Sequence, residues 1–188
     1  NDSTYTVTEI AAQAFDYDKN GPYPKQWIDR SKTLSVTIPK TVTSIGAYAF
    51  RECTEFNSFW PELCAGKMTE IGLTSVNFAP GSQLQTIGDL AFANCYSLAK
   101  IEIPSSVMTI GKQVFWSCAD LQEVIFQEGS VCQSIGQQAF HWNCFLKKIV
   151  LPESLTEISD GMIEECEFLE EIVIPKGVTS IGEEAFKK

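Results

Sequence analysis

Apolar residues recur along this chain in a fixed order. The stretch Leu98-Ala99-Lys100-Ile101-Glu102-Ile103-Pro104 runs on through Ile110-Gly111 to Phe115 and Cys118. Three later stretches superpose on it: Val124 through Ile135-Gly136 to Phe140, Ile149 through Ile158 to Ile163, and Ile172 through Ile181-Gly182 to Phe186. The phenylalanine slot moves from 92 to 115, 140, 163 and 186, steps of 23, 25, 23 and 23 residues. The one long step arises at Phe126-Gln127-Glu128-Gly129-Ser130, two residues longer than Ile103-Pro104-Ser105-Ser106; Phe78-Ala79-Pro80-Gly81-Ser82 carries the same extension. A period of this length marks a stack of supersecondary units, none of which can bury its apolar face alone.

Upstream, Val36 to Phe56 is another copy, and Val7-Thr8-Glu9-Ile10 with Ala14-Phe15 is the second half of one. Residues 16–33 read as an insertion rich in turn formers (Asn20-Gly21-Pro22, Pro24) with Tyr17, Tyr23 and Trp27. Residues 57–72 read as a degenerate copy, with Phe59-Trp60-Pro61 at the strand position and Ile71-Gly72 retained. The last repeat is incomplete at Lys188, so the chain is expected either to continue naturally or to cover its last apolar layer by self-association. The whole, 1–188, reads as one domain.

In Leu-x-x-Ile-x-Ile, two inward apolar positions flank an outward one, the period of a strand. One short parallel strand per repeat follows, and seven such strands stacked at about 4.8 Å give roughly 29 Å of sheet. Proline after the strand, at Pro39, Pro104, Pro152 and Pro175, lacks a donor and ends the ladder. Ala-Phe-x-x-Cys leaves room for a turn or one helical turn. Phe15, Phe50, Phe92, Phe115, Phe140 and Phe186, with Ile163 substituting, should form a ring stack through the core. The glycine after the second Ile could supply either a positive φ or close packing, and Ala11 and Ser159 in the same slot favour packing.

The combined pattern Leu-x-x-Ile-x-Ile-Pro-x-x-Val-x-x-Ile-Gly-x-x-Ala-Phe-x-x-Cys resembles the BspA-like class of leucine-rich repeats, of the bacterial or protozoal cell-surface type. The resemblance covers nearly the whole chain. It implies a right-handed leucine-rich repeat solenoid with little helix, belonging to a secreted or cell-surface protein that binds other proteins. In that class the slot held by Cys53, Cys95, Cys118, Cys166 and Asn143 carries a small polar side chain that satisfies buried backbone groups.

Composition narrows the partners. Of 188 residues, 44% are hydrophobic and 20% charged, an ordinary globular balance. Fourteen basic against twenty-four acidic residues leave a net charge of −10, which repels a phosphate backbone and excludes nucleic acid as the expected partner. The longest apolar run, Ile45 to Phe50, is far short of the roughly 20 residues of a membrane-spanning helix. The chain opens on Asn1-Asp2-Ser3 without a signal peptide, so an extracellular or cell-surface location rests on the resemblance.

Candidate chemistry is sparse. Of the seven cysteines, Cys132 falls in an apolar slot and only Cys64 and Cys144 lie outside the repeat; none has metal-ligand spacing, and buried thiols are the expectation. His141, the one histidine, precedes Cys144 by three residues, but a nucleophile pair also needs an orienting group and a cleft. The plainer reading is a surface histidine and a semi-buried thiol. No catalytic residue is therefore assigned, and a hydrolase is the least favoured function. Asp16, Asp18 and Asn20 have the oxygen spacing of the first half of a calcium loop, yet Trp27 stands where the closing acid belongs. A turn held by Asp and Asn side chains is preferred there, calcium is the weaker alternative, and no other cofactor is expected.

Two surfaces stand out. The outward strand positions Trp60, Asn77, Glu102, Ile125, Val150 and Val173, following Thr37, end in an apolar stripe that either a partner covers or β propensity alone explains. Beside them Lys100, Glu123, Lys148 and Glu171 alternate in sign as a structural ladder. Just after the phenylalanine slot, Trp116, His141 and Trp142 should meet on neighbouring coils, either as a contact surface or as a cover for the Phe115 to Phe140 layer. The leading function is a non-catalytic protein-binding module in adhesion or partner recognition, and the alternative is a structural spacer without a tight ligand.

Overall fold

A computed structural model describes residues 6–15, 33–53 and 72–188, in which thirteen short strands and no helix are found. Six strands form one parallel sheet: β2 (Thr33–Ile38), β4 (Gly72–Phe78), β6 (Lys100–Ile103), β8 (Glu123–Phe126), β10 (Lys148–Val150) and β12 (Glu171–Val173), in that spatial order. These are the Leu-x-x-Ile-x-Ile segments, with Ile101, Ile103, Val124 and Ile149 buried between outward residues. Each coil adds a second strand where the sequence suggested only a return path. β1 (Glu9–Ile10), β3 (Ser44–Ile45), β5 (Thr86–Ile87), β7 (Thr109–Ile110) and β9 (Ser134–Ile135) pair in a parallel row, and β11 (Glu157–Ile158) pairs with β13 (Ser180–Ile181). The seven coils are numbered by these pairs, β1 in the first and β12 with β13 in the seventh.

The strand expected around Trp60 does not stand in the sheet between Thr37 and Asn77. β2 pairs directly with β4, Val36 opposite Val76 and Thr37 opposite Asn77. The N–H of Leu73 donates to the Cys53 carbonyl at 2.7 Å, as that of Leu98 donates to Cys95 at 3.0 Å. Leu73 therefore opens the coil that follows Cys53 directly. Trp60, and the rest of 54–71, lie outside the described residues, as do 16–32 with the calcium candidates Asp16, Asp18 and Asn20.

The third side is a ladder of turns. The N–H groups of Phe50, Phe92, Phe115 and Phe140 donate forward to carbonyls of Ala91, Val114, Ala139 and Met162 at 2.7–2.9 Å. Residues two before and two after the phenylalanine hold a left-handed φ, as at Gln113 (53°) and Ser117 (57°), which disfavours a side chain by roughly 1–2 kcal/mol. Each of these two residues also donates forward, Gln113 to Gln137 at 2.9 Å and Ser117 to His141 at 2.8 Å, and that bonding offsets the strain.

Inside, the rings stack as anticipated: Phe15 on Phe50 at 4.9 Å, Phe50 on Phe92 at 5.2 Å, Phe92 on Phe115 at 5.6 Å and Phe115 on Phe140 at 5.7 Å. Cys53, Cys95, Cys118 and Cys166 are buried free thiols, each donating to a phenylalanine carbonyl of an earlier coil at 3.1–3.3 Å.

The recurrent glycine serves close packing. A Cβ on Gly111 would lie 2.6 Å from the Asp89 nitrogen, and one on Gly136 would lie 2.6 Å from the Lys112 nitrogen. Ser159 holds the same slot in the sixth coil, and there the second sheet breaks: β9 and β11 do not pair. A side chain at this contact keeps the coils apart, and the Ser159 hydroxyl is buried without a partner. Ser159→Gly should therefore close the ladder. Restored hydrogen bonds of about 1 kcal/mol each outweigh the 0.5–1 kcal/mol entropic cost of glycine, for a net gain of about 1 kcal/mol and a rise in Tm of roughly 2–4 °C. Gly136→Ala should do the reverse and cost about 1–3 kcal/mol. Thermal melts of the two variants check both; an unchanged or lowered Tm for Ser159→Gly would mean that the serine is not what separates the coils.

Candidate functional site

The outward face of the six-stranded sheet gathers the predicted row. Glu102 lies opposite Ile125 and Val150 opposite Val173 in register, with Asn77 and Thr37 on the strands before them. Val150 and Val173 are 47% and 41% exposed, Ile125 is half-buried, and Asn77 and Glu102 are exposed. The polar end is internally bonded: Asn77 Nδ2 donates to Ser35 Oγ at 3.3 Å, Ser75 Oγ to Ser35 Oγ at 2.7 Å and Gln127 Nε2 to Glu102 Oε1 at 2.9 Å. The charged row alternates as expected. Lys100 Nζ meets Glu123 Oε2 at 2.7 Å and Lys148 Nζ meets Glu171 Oε1 at 2.9 Å. These side chains are about half exposed, so the pairs add little stability but leave few unpaired charges beside the apolar stripe.

On the turn side, the structure brings Trp116, His141 and Trp142 together. The indoles stack at 5.8 Å, Trp116 lies over His141 at 6.4 Å, and His141 lies on Trp142 at 5.3 Å. All three rings are half-buried. Glu164, itself buried, places Oε2 3.2 Å from His141 Nδ1 and Oε1 3.4 Å from Lys187 Nζ. Burial pushes the imidazole below its ordinary pKa, against the opposing pull of Glu164 and Glu165. Burial alone would raise the Glu164 carboxyl, but His141, Lys187 and Gln138 outweigh it and hold the group below the usual carboxylate value. An open cleft of about 330 Å³ adjoins it, lined by Gln137, Gln138, Asp160, Gly161, Glu164, Glu183 and Glu184.

Cys144 corrects the expectation of a semi-buried thiol beside His141. It is disulfide-bonded, so it has no thiol with which to form a nucleophile pair. Burial raises the free thiols, Cys118 and Cys166 to about 12 and Cys132 to about 11, which leaves them protonated and inert at neutral pH. No group of three His, Cys, Asp or Glu side chains is arranged to hold a metal among the described residues. One aromatic pair escaped the sequence reading: Phe145 stacks on Phe168 at 5.6 Å, with Phe168 46% exposed. Its signal was present, since both stand two residues after the Cys/Asn slot, at Asn143 and Cys166.

Stacked coils with parallel strands, a phenylalanine spine and backward-bonded cysteines define a leucine-rich repeat solenoid. The BspA type leucine rich repeat region matches in six copies, over residues 28–72 and 63–188, and the chain belongs to that family. It is similar to the T. pallidum leucine-rich repeat protein TpLRR, with 28% identity and a TM-score of 0.68, covering 94% of this chain and 67% of that one. The pneumococcal vaccine antigen PcpA shares the fold at 20% identity and a TM-score of 0.50, covering 94% of this chain and 64% of that one. A leucine-rich repeat protein from Eubacterium ventriosum does so at 23% identity and a TM-score of 0.54, covering 81% of this chain and 42% of that one. The chain thus spans about two thirds of the first two proteins and less than half of the third. No curated protein sequence matches it. No helix among the described residues is long and apolar enough to cross a membrane.

Because the Trp116 and Trp142 rings are stacked and half-buried, replacing both with Ala should lower stability by about 2 kcal/mol, less than the 3–5 kcal/mol of a fully buried aromatic. A melt checks this: an unchanged Tm would place the rings on the surface as free contact residues. In the same native protein, Cys118, Cys132 and Cys166 should resist a thiol reagent at pH 8 and react once denatured; rapid native reaction would contradict their burial.

Proposed function

We propose that this chain is a non-catalytic protein-binding module of a secreted or cell-surface protein, acting in adhesion or partner recognition through the outward face of its six-stranded sheet. The observation that carries the reading is the exposure of Val150 and Val173 beside Ile125 on a continuous sheet whose neighbouring charges are paired with one another. Water-exposed branched side chains in a row are suited to a partner's apolar side chains, and Asn77 and Glu102 extend the row with polar groups. The disulfide at Cys144 supports an oxidising compartment, since disulfides persist outside the cytosol. Kinship with leucine-rich repeat proteins, a family generally without catalysis, supports binding over chemistry.

The test takes a surface-displayed library of extracellular proteins, selects binders on the immobilised chain, and measures each against Ile125→Lys/Val150→Lys/Val173→Lys. The triple variant should melt within a few degrees of the parent, because its sites face solvent. Its affinity should drop by about 30-fold or more, the loss of one hot spot of about 2 kcal/mol. Binders with equal affinity for parent and variant would move the binding site elsewhere on the solenoid, and the absence of any binder would favour the spacer role.

A further inference from the structure

Just after the cysteine slot, a link of two residues joins each regular coil to the next. These links are Tyr96-Ser97 after Cys95, Ala119-Asp120 after Cys118, Cys144-Phe145 after Asn143 and Glu167-Phe168 after Cys166. A leucine N–H closes each one on the slot carbonyl, Leu98 on Cys95, Leu121 on Cys118, Leu146 on Asn143 and Leu169 on Cys166, at 2.9–3.2 Å. The links also stack on one another, with Asp120 donating to the Tyr96 carbonyl at 3.2 Å and Phe168 to the Cys144 carbonyl at 3.1 Å. Together they form one corner of the solenoid, between the turn side and the first sheet. Leu73 closes on Cys53 in the same way, so residues 54–71 leave the solenoid and return to it at this corner.

A connecting corner of this kind faces water unless something lies on it. Along this one, burial fades with distance from Cys53. Tyr96, Ala119 and Cys144, the first residues of three successive links, are buried, whereas Glu167 in the next link is exposed. The second residues run from buried Ser97 through half-buried Asp120 and Phe145 to exposed Phe168. Tyr96 and Ala119 make a buried cluster separate from the main core.

Of the seven cysteines, Cys53, Cys95, Cys118, Cys132 and Cys166 are free thiols and Cys144 is disulfide-bonded. One cysteine is left, Cys64, which lies outside the described residues. The eight residues from Cys64 to Gly72 can span roughly 26 Å when extended, and three coil steps from the Cys53 corner to Cys144 require only about 14 Å.

We propose that Cys64 is the partner of Cys144, and that this disulfide ties the 54–71 segment along the corner, over Tyr96 and Ala119. Its formation is a two-electron oxidation, and the oxidant is a protein disulfide of the thiol–disulfide exchange class. One cysteine, as its thiolate, attacks the oxidant's disulfide, forming a mixed disulfide and releasing one oxidant sulfur. The second cysteine, having lost its proton, displaces the other: the bond between Cys64 and Cys144 forms as the mixed one breaks, and the oxidant leaves as a dithiol carrying the two protons. The tie concerns the corner alone, and it stands whichever surface binds a partner.

The intact chain, secreted into an oxidising compartment and purified without reductant, tests it. After alkylation and proteolysis, residues 64 and 144 should appear in one cross-linked species, two hydrogen masses below the sum of its reduced peptides, from a protein that runs as a monomer on a non-reducing gel. An alkylated Cys144, or a Cys144 peptide linked to any other cysteine or to a second copy of the chain, would overturn the pairing. Hydroxyl-radical labelling then tests the cover. Tyr96 should be protected in the parent and label severalfold faster in Cys64→Ser; equal labelling of the two would overturn the placement over Tyr96. If Cys64→Ser does not fold, the parent reduced under native conditions takes its place, with the same two outcomes.

Discussion

The distance at which one backbone coil rests on the next governs this molecule. Parallel ladders hold strands about 4.8 Å apart, and the coils stack through three rows of backbone bonds, one on each side, of which the second sheet alone is interrupted, between β9 and β11. The spacing decides which residue types can stand where. It brings the phenylalanine rings to 4.9–5.7 Å, within the range of a stacked pair, so the slot is aromatic in nearly every coil. It places the backbone of one coil where the next coil's Cβ would be at Gly111 and Gly136, so that slot is bare. It also puts the phenylalanine carbonyl within reach of the cysteine thiol, a small donor that fits where a larger one would not.

With the inward positions committed in this way, variation is left to the outward ones. On the first sheet the outward row changes from polar at Thr37 and Asn77 to apolar at Val150 and Val173 without disturbing the inward Val36, Val76 and Ile149. The paired lysines and glutamates follow from the same stacking, since a charge on one strand meets the next strand's side chain at hydrogen-bonding distance. Lys100 with Glu123 and Lys148 with Glu171 thus neutralise one another beside the valines, while Glu102, opposite Ile125, accepts from the uncharged Gln127 amide.

Much of this was legible because each slot repeats. Ile101, Val124 and Ile149 announce their burial by recurrence, and the glycine slot revealed its packing role through Ala11 and Ser159. What recurrence cannot reveal is anything that happens once. The strand expected at Trp60 came from matching Ile71-Gly72 to the glycine slot, but Gly72 begins β4 with a φ of 93° and belongs to a first-sheet strand. Cys144 lies outside the repeat, and spacing alone could not distinguish a thiol from a disulfide there. The second sheet was missed for another reason: two-residue strands such as Ser134–Ile135 show no alternation, and only their neighbours make them strands.

The broken junction and the apolar row meet in one place. Ile125 belongs to the fifth coil, Val150 to the sixth and Val173 to the seventh, so the exposed stripe crosses the junction on the side where the strands remain paired. The first sheet carries the stripe across unbroken, because Lys148 and Ile149 pair with Glu123 and Val124 while the break is confined to the second sheet. The exposed row therefore keeps its strand spacing where the close packing of the glycine slot fails, and the two sides of the coil obey different constraints: backbone pairing on one, the absence of a side chain on the other.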